Sequence, residues 1–199
     1  LSFTRMQSEA KEVINLSELV SDMKPMLKKT LTSSIELSTL LGDNLWPTCS
    51  DVNDLENALL NICINAKHAM VGNGKLTVVT TNRELDLAHS EKLGLAPGDY
   101  ILLSIRDTGT GMHQETQSRI FEPFFSTKGD EGTGLGLSQV YGLVQRSNGA
   151  ITVKSKPGEG TVFNLYFPRS EQEIQSSTKE SPDTDMANRH QGARMLVVD

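Results

Sequence analysis

A chain of 199 residues with 37% hydrophobic and 22% charged residues is long enough to bury a core and reads as one globular domain with polar flanking sequence. Its net charge of −6 argues against a general nucleic-acid binder, which needs a basic face. Its two cysteines, Cys49 and Cys63, have no metal-ligand spacing and read as reduced, buried thiols; no apolar run approaches membrane-spanning length.

Taken in order, Leu1–Gln7 looks like the tail of a helix, and Val13–Leu16 is a short strand candidate. Ser17 is the expected N-cap of a helix over Leu19–Leu31, with Pro25 marking a kink or a late start. Ser34–Leu41 and Leu45–Cys49 read as two strands of a hairpin turned at Asp43-Asn44. Asp51–Met70 is the clearest helix. Asp51 is its natural N-cap, and Leu55, Leu59, Ile62, Cys63, Ala66 and Met70 form an apolar stripe at helical spacing. On another face of the same helix Asn57, Asn61, Asn65 and His68 fall together, as a solvated face or as a ligand-facing file. Leu76–Asn82 and Tyr100–Arg106 read as strands, with Glu84–Asp99 a surface loop between them. Leu135–Ser147 is a helix, and Ala150–Ser155 with Thr161–Phe167 forms a hairpin. Beyond Pro168 the composition is that of a disordered linker, until Ala193–Asp199 opens like a first strand. The first residue is not Met and the pattern is cut at Asp199, so a piece of a longer protein is expected.

The chemistry concentrates in Asp107–Ser138. Asp107 ends a strand directly before Gly109 and Gly111, where a carboxylate can accept a hydrogen bond from an exocyclic amine such as that of adenine; a plain turn-forming Asp fits as well. Gly132, Gly134 and Gly136, with Thr133 and Leu135 between them, precede a helix, an arrangement that aims backbone N–H groups at an anion. It is not a Walker loop, because no Gly-Lys-Ser/Thr follows, and Gln139 stands where a dinucleotide fingerprint needs its third glycine. Beside a polyphosphate, Asn61 and Asn65 offer amide oxygens, hard ligands that suit Mg²⁺. Lys128 is placed to neutralise a terminal phosphate or is a solvated lysine, and Phe121, Phe124 and Phe125 are packing residues or the anchor of a flap over a nucleotide, spanning about His113 to Gly132. Of the four histidines, none lies in a long amphipathic helix beside an acid, as a phosphoacceptor would.

These residues resemble a known family. Asn61-x-x-x-Asn65-Ala66, Asp107-x-Gly109-x-Gly111-Met112, Phe121-Glu122-Pro123-Phe124-Phe125 and Gly132-Thr133-Gly134-Leu135-Gly136-Leu137 are similar to the N box, first glycine box, F box and second glycine box of sensor histidine kinase catalytic domains, in the GHKL superfamily; Gly158-x-Gly160-Thr161 resembles the last glycine motif. The resemblance covers about Val13–Pro168 and implies a two-layer α/β sandwich, the Bergerat fold, whose mixed sheet carries helices on one face. It implies ATP and Mg²⁺ as ligands. Asp107 would read adenine, Asn65 would hold the metal with Asn61 assisting, and Gly109, Gly111, Met112, Phe121, Phe125, Leu137 and Thr161 would line the nucleotide. The γ-phosphoryl would go to a histidine on a dimerisation hairpin that this chain lacks. Residues 1–12 resemble the end of that hairpin, and 193–199 the start of a receiver domain. The expected partners are therefore that hairpin, through which the parent would form a homodimer, the receiver domain, and a downstream response regulator. The place is cytoplasmic, with no nucleic-acid or membrane contact by this piece. One departure is His68, where many relatives carry Asp three residues after the metal-binding Asn. The alternatives are an ATP-hydrolysing relative, disfavoured because Asn61 stands where those place a general-base Glu, and a non-catalytic nucleotide-binding module.

Overall fold

A computed structural model describes residues 11–127 and 133–172. The expected elements at Leu1–Gln7 and Ala193–Asp199, and all but the first residues of the linker, lie outside these. The chain runs β1 (Glu12–Ile14), α1 (Leu16–Thr30), β2 (Ile35–Leu40), β3 (Thr48–Ser50), α2 (Val52–Ala69), β4 (Gly74–Leu85), α3 (Leu87–Leu93), β5 (Gly98–Asp107), α4 (Gln114–Arg119), α5 (Gly136–Arg146), β6 (Ala150–Lys156) and β7 (Gly160–Pro168). The main sheet has five strands in the order β2-β4-β5-β7-β6. Only β2 and β4 are parallel, which makes it a mixed sheet.

Side-chain alternation along the strands decides which face is the core. Leu76 and Val78 of β4, Ile101, Leu103 and Ile105 of β5, and Phe163, Leu165 and Phe167 of β7 share one parity and one buried cluster with α1, α2 and α5. The stripe expected on α2 is that helix's contribution: Leu55, Leu59, Ile62, Cys63 and Ala66 are all buried, and Met70 follows as its C-cap. Burial pushes the Cys63 thiol up to about 12, so it stays protonated at neutral pH and packs as a small apolar group. Among the described residues no helix is long and apolar enough to cross a membrane.

Four local expectations are corrected. Cys49, in β3, is exposed rather than buried, because it sits at the outward position between buried Thr48 and Ser50. The hairpin of Ser34–Leu41 with Leu45–Cys49 does not form: β2 pairs in parallel with β4, and β3 pairs antiparallel with β1. The reason lies in the connecting residues. The Trp46 N–H donates to the Asn82 side chain (2.9 Å), and Pro47 has no N–H, so two successive donors are unavailable to β2. The cap of α1 is Asn15, not Ser17. Asn15 Oδ1 accepts from the Ser17 N–H at 2.8 Å, while the Ser17 hydroxyl bonds Gly42 O and Thr80 Oγ1. The helix therefore starts at Leu16 and contains Pro25 in its interior. Glu84–Asp99 is not all loop, for it holds α3, capped by Asp86 on the His89 N–H (2.8 Å) and ended by Gly94 in the left-handed region at φ 67°.

The order of the domain also extends past Pro168. The Arg169 guanidinium lies 4.7 Å from the Trp46 ring centre and 2.9 Å from Asp99, and the Ser170 N–H donates to Pro47 O. Asn15→Ala should cost about 1 kcal/mol of stability by chemical denaturation. Ile62→Ala, which opens a cavity under the sheet, should cost roughly 2–5 kcal/mol.

Candidate functional site

The last residue of β5 is Asp107, only 4% exposed. One carboxylate oxygen, Oδ1, accepts the Gly109 N–H at 2.8 Å and the Thr161 N–H at 3.2 Å. The other, Oδ2, receives no hydrogen bond from any described residue. Burial raises the Asp107 pKa above its ordinary 3.8, and the two N–H donors offset part of that rise. The side chain is thus a fixed acceptor with one oxygen committed to the backbone and one left for a donor.

The loop after Asp107 is wedged between two elements. On one side a Cβ at Gly109 would come within 2.7 Å of Ala69, at the end of α2, and the Thr110 N–H donates to Ala69 O at 2.9 Å. On the other side the turn of the β6–β7 hairpin closes over it: the Gly158 N–H donates to Thr110 O at 2.7 Å, and Gly111, at φ 66°, lies against the Lys156 carbonyl. Met112 is half-buried against the core, with its N–H on Ser155 Oγ at 2.9 Å. The segment that follows is α4, whose Gln117 amide donates to Met112 O (3.1 Å) and Ser155 O (2.9 Å).

Phe121 and Phe125 pack against the core, Phe121 with its ring 5.5 Å from that of Tyr141 and Phe125 under the Arg119 guanidinium at 4.4 Å. Phe124 behaves differently. It is 77% exposed with φ 66°, and its N–H donates to Gly134 O at 3.0 Å. Gly134 packs on the Phe124 backbone, and a Cβ at Gly136 would meet the Asn61 side chain at 3.3 Å. Those two glycines therefore permit close approach to protein neighbours. Thr133 is exposed, Leu135 is the N-cap of α5 with no side-chain capping bond, and Leu137 packs against the core. The first N–H groups of α5 thus point out of the helix without a side-chain cap. Lys128 and Gly132 lie outside the described residues.

Asn61 and Asn65 are half-buried one turn apart on α2, and the Asn61 amide faces Gly136 O and Gln139 Oε1, each at 3.5 Å. His68 is exposed in the last turn of α2. From Ala69, beside the Asp107 loop, to Asn61, beside the start of α5, is about 12 Å along the helix. A nucleoside triphosphate extends over that kind of distance from base edge to terminal phosphate. A groove of about 350 Å³ between α2 and α5, lined by Asp54, Asn57, Asn61, Gln139 and Arg146, lies farther toward the start of α2 and does not include Asp107. Two residues escaped sequence reasoning, Gln117 and Ser155. For Ser155 a signal existed: the inward positions of its strand read Ile151, Val153, Ser155, a polar residue where the alternation calls for an apolar one.

The family model described as "Histidine kinase-, DNA gyrase B-, and HSP90-like ATPase" matches residues 50–171. The chain belongs to that family, as an ATP-binding catalytic domain of the sensor-kinase kind. It is 37% identical over 171 residues to "Sensor kinase CckA" of Brucella abortus, covering 85% of this chain and 18% of that protein. It is 30% identical over 158 residues to "Sensor histidine kinase ZraS" of Salmonella typhi, covering 79% and 31%. The chain thus spans about a fifth to a third of the length of these relatives. Among solved structures, "Mycobacterial sensor histidine kinase MprB" superposes with a TM-score of 0.64 at 23% identity, covering 80% of this chain and 98% of that one. Full-length ShkA, described as in complex with AMPPNP, gives 0.64 at 23% identity, covering 81% and 31%. At such identity the likeness shows the shared fold.

Because the Asp107 pKa is raised on folding, stability from this group is present while it is protonated and is lost as pH rises from 3.8 through the raised value. Asp107→Asn removes that loss, so at neutral pH the variant should be at least as stable as the wild type in thermal melts. The adenine-reading role that the family resemblance implies for Asp107 predicts that the same variant binds ATP about 10- to 100-fold more weakly in calorimetry, because one buried charge-assisted hydrogen bond would be gone.

Proposed function

We propose that the domain holds ATP with its base edge at Asp107 and its phosphates between the Asn61–Asn65 face of α2 and the open first turn of α5. The observation that carries this reading is Asp107 itself, a buried carboxylate with one oxygen saturated by backbone N–H groups and the other left to a ligand donor. The donor set suits Mg²⁺ carried with a polyphosphate: among the described residues no group of three His, Cys, Asp or Glu could form an all-protein cage, whereas asparagine oxygens share an ion with phosphate oxygens and water. Asn65 would be the protein ligand and Asn61 its assistant. When bound, the metal neutralises phosphate charge.

The reaction we assign is transfer of the γ-phosphoryl to a histidine presented by the dimerisation hairpin of the parent protein. The chain's own residues position and exclude: Asp107 fixes the base, the α5 N–H groups and Asn61 fix the phosphate end, and in-line geometry is supplied by docking of the acceptor. Hydrolysis is disfavoured by Asn61, whose amide takes no proton from water and is already turned toward Gly136 O and Gln139. Partners beyond the hairpin, namely a receiver domain and a response regulator, follow from the same reading, as does a cytoplasmic place and the division into a catalytic unit at 13–168 with a linker after it. Lys128 and Gly132 complete the phosphate end in this reading.

The test is radiolabel transfer from γ-labelled ATP. The chain alone should leave itself unlabelled and turn ATP over slowly. Adding the purified dimerisation hairpin of the parent should produce labelled hairpin, and Asn65→Ala should abolish it. Strong self-labelling, or undiminished transfer by Asn65→Ala, would overturn the assignment.

A further inference from the structure

Asp107, Thr161 and Ser155 are register partners in a row across β5, β7 and β6, on the same side of the sheet. Ser155 Oγ has three neighbours at 2.9 Å: the Met112 N–H, the Gly160 carbonyl oxygen and Thr161 Oγ1. A hydroxyl has one proton and two lone pairs. The Met112 N–H can only donate and the Gly160 carbonyl can only accept. The single Ser155 proton therefore goes to Gly160 O, one lone pair takes the Met112 N–H, and the second takes the proton of Thr161. The neighbouring frame holds Ser155 in place for this, with the Gln117 amide on Ser155 O at 2.9 Å. Thr161 Oγ1, its proton turned toward β6, keeps only lone pairs for anything else. It is 4% exposed, like Asp107 beside it.

We propose that Ser155 is a specificity-determining positioning residue. By taking the Thr161 proton it makes Thr161 a pure acceptor next to Asp107, so that the pair admits a purine bearing an exocyclic amino group, directly or through a water, and rejects one bearing an oxo group there. An amino group brings two protons to two acceptor oxygens. An oxo group turns lone pairs toward the same two oxygens, and the single N1–H that an oxopurine carries beside it can satisfy only one of them. The inference rests on the assignment of Asp107 as the base-reading acid.

The experiment is calorimetric titration of ATP and of inosine triphosphate, both with Mg²⁺, into the wild type and variants of the chain. The wild type should prefer ATP, and Asp107→Ala should remove most of that preference. Ser155→Ala frees the Thr161 proton to face the ligand, and the ATP-to-ITP affinity ratio should fall about three- to tenfold, the worth of one neutral hydrogen bond. Ser155→Thr keeps the hydroxyl and should restore the ratio. If Ser155→Ala does not fold, Ser155→Cys keeps the volume with a poor acceptor and should lower the ratio in the same direction. A residue that only props the loop would weaken both nucleotides by one factor. Equal losses for ATP and ITP in Ser155→Ala, with discrimination still dependent on Asp107, overturn the role of Ser155 alone. A wild type that binds both equally, and an Asp107→Ala variant that changes neither, overturns the base-reading assignment and this inference with it.

Discussion

The structure around the site depends on one tight contact, the passage of the backbone from Asp107 to Met112 between the end of α2 and the turn of the β6–β7 hairpin. Two contacts of that passage are made by its own glycines, Gly109 on Ala69 and Gly111 on the Lys156 carbonyl, and Gly160 meets the Asp107 carbonyl from the opposite side. A methyl group at any of them would separate the elements. Held this close, the loop delivers the Gly109 N–H to Asp107 Oδ1 before any ligand arrives, and β7 delivers that of Thr161. The carboxylate is buried at a cost, visible in its raised pKa, and its orientation is fixed in return. Preorganisation of this kind moves the ordering cost from binding to folding.

The same contact explains why α2 matters beyond its share of the core. Its apolar stripe lies under the sheet, its last residue stops the glycine loop, and its Asn61 meets the first turn of α5. One helix thus sets the distance between the Asp107 loop and the start of α5. At the far end of the same helix the Asp54–Arg146 pair, at 2.6 Å, joins the start of α2 to the end of α5. With Arg146 exposed and Asp54 only half-buried, the pair adds little stability by itself.

Much of this was legible because period and capping point the same way. For α2 the stripe, the Asp51 cap and the file of asparagines each appear in the residues, and the Asp51 side chain does accept the Asp54 N–H at 2.9 Å. The β6–β7 hairpin was legible from alternation. What was hidden depended on partners far away in sequence. Whether Ile35–Leu40 pairs with its neighbour or with β4 is decided by Asn82, which draws off the Trp46 N–H, and by the missing N–H of Pro47. Asn15 and Ser17 are both good caps, and the choice fell to Asn15 because Thr80 and Gly42 occupy the Ser17 hydroxyl. Helix α3 has little apolar period to detect, though Asp86 and Gly94 bracket it with the usual start and stop residues.

The second glycine cluster shows why a motif's residues and a motif's mechanism are separate questions. A run such as Gly134-Leu135-Gly136 before a helix suggests backbone donors around phosphate. In the fold both described glycines of that run lie against protein neighbours: Gly134, at φ 67°, has no room for a Cβ beside the Phe124 backbone, and Gly136 lies close to the Asn61 side chain. Phe124 in turn sits in the left-handed region, which for a residue with a Cβ costs roughly 1–2 kcal/mol. Its N–H on Gly134 O offsets part of that cost and leaves its ring outside, while Phe121 and Phe125 on either side turn inward. The phenylalanine segment and the start of α5 are therefore one packed piece. On the function proposed above, the phosphate role of α5 belongs to the N–H groups of its first turn, which no described side chain caps.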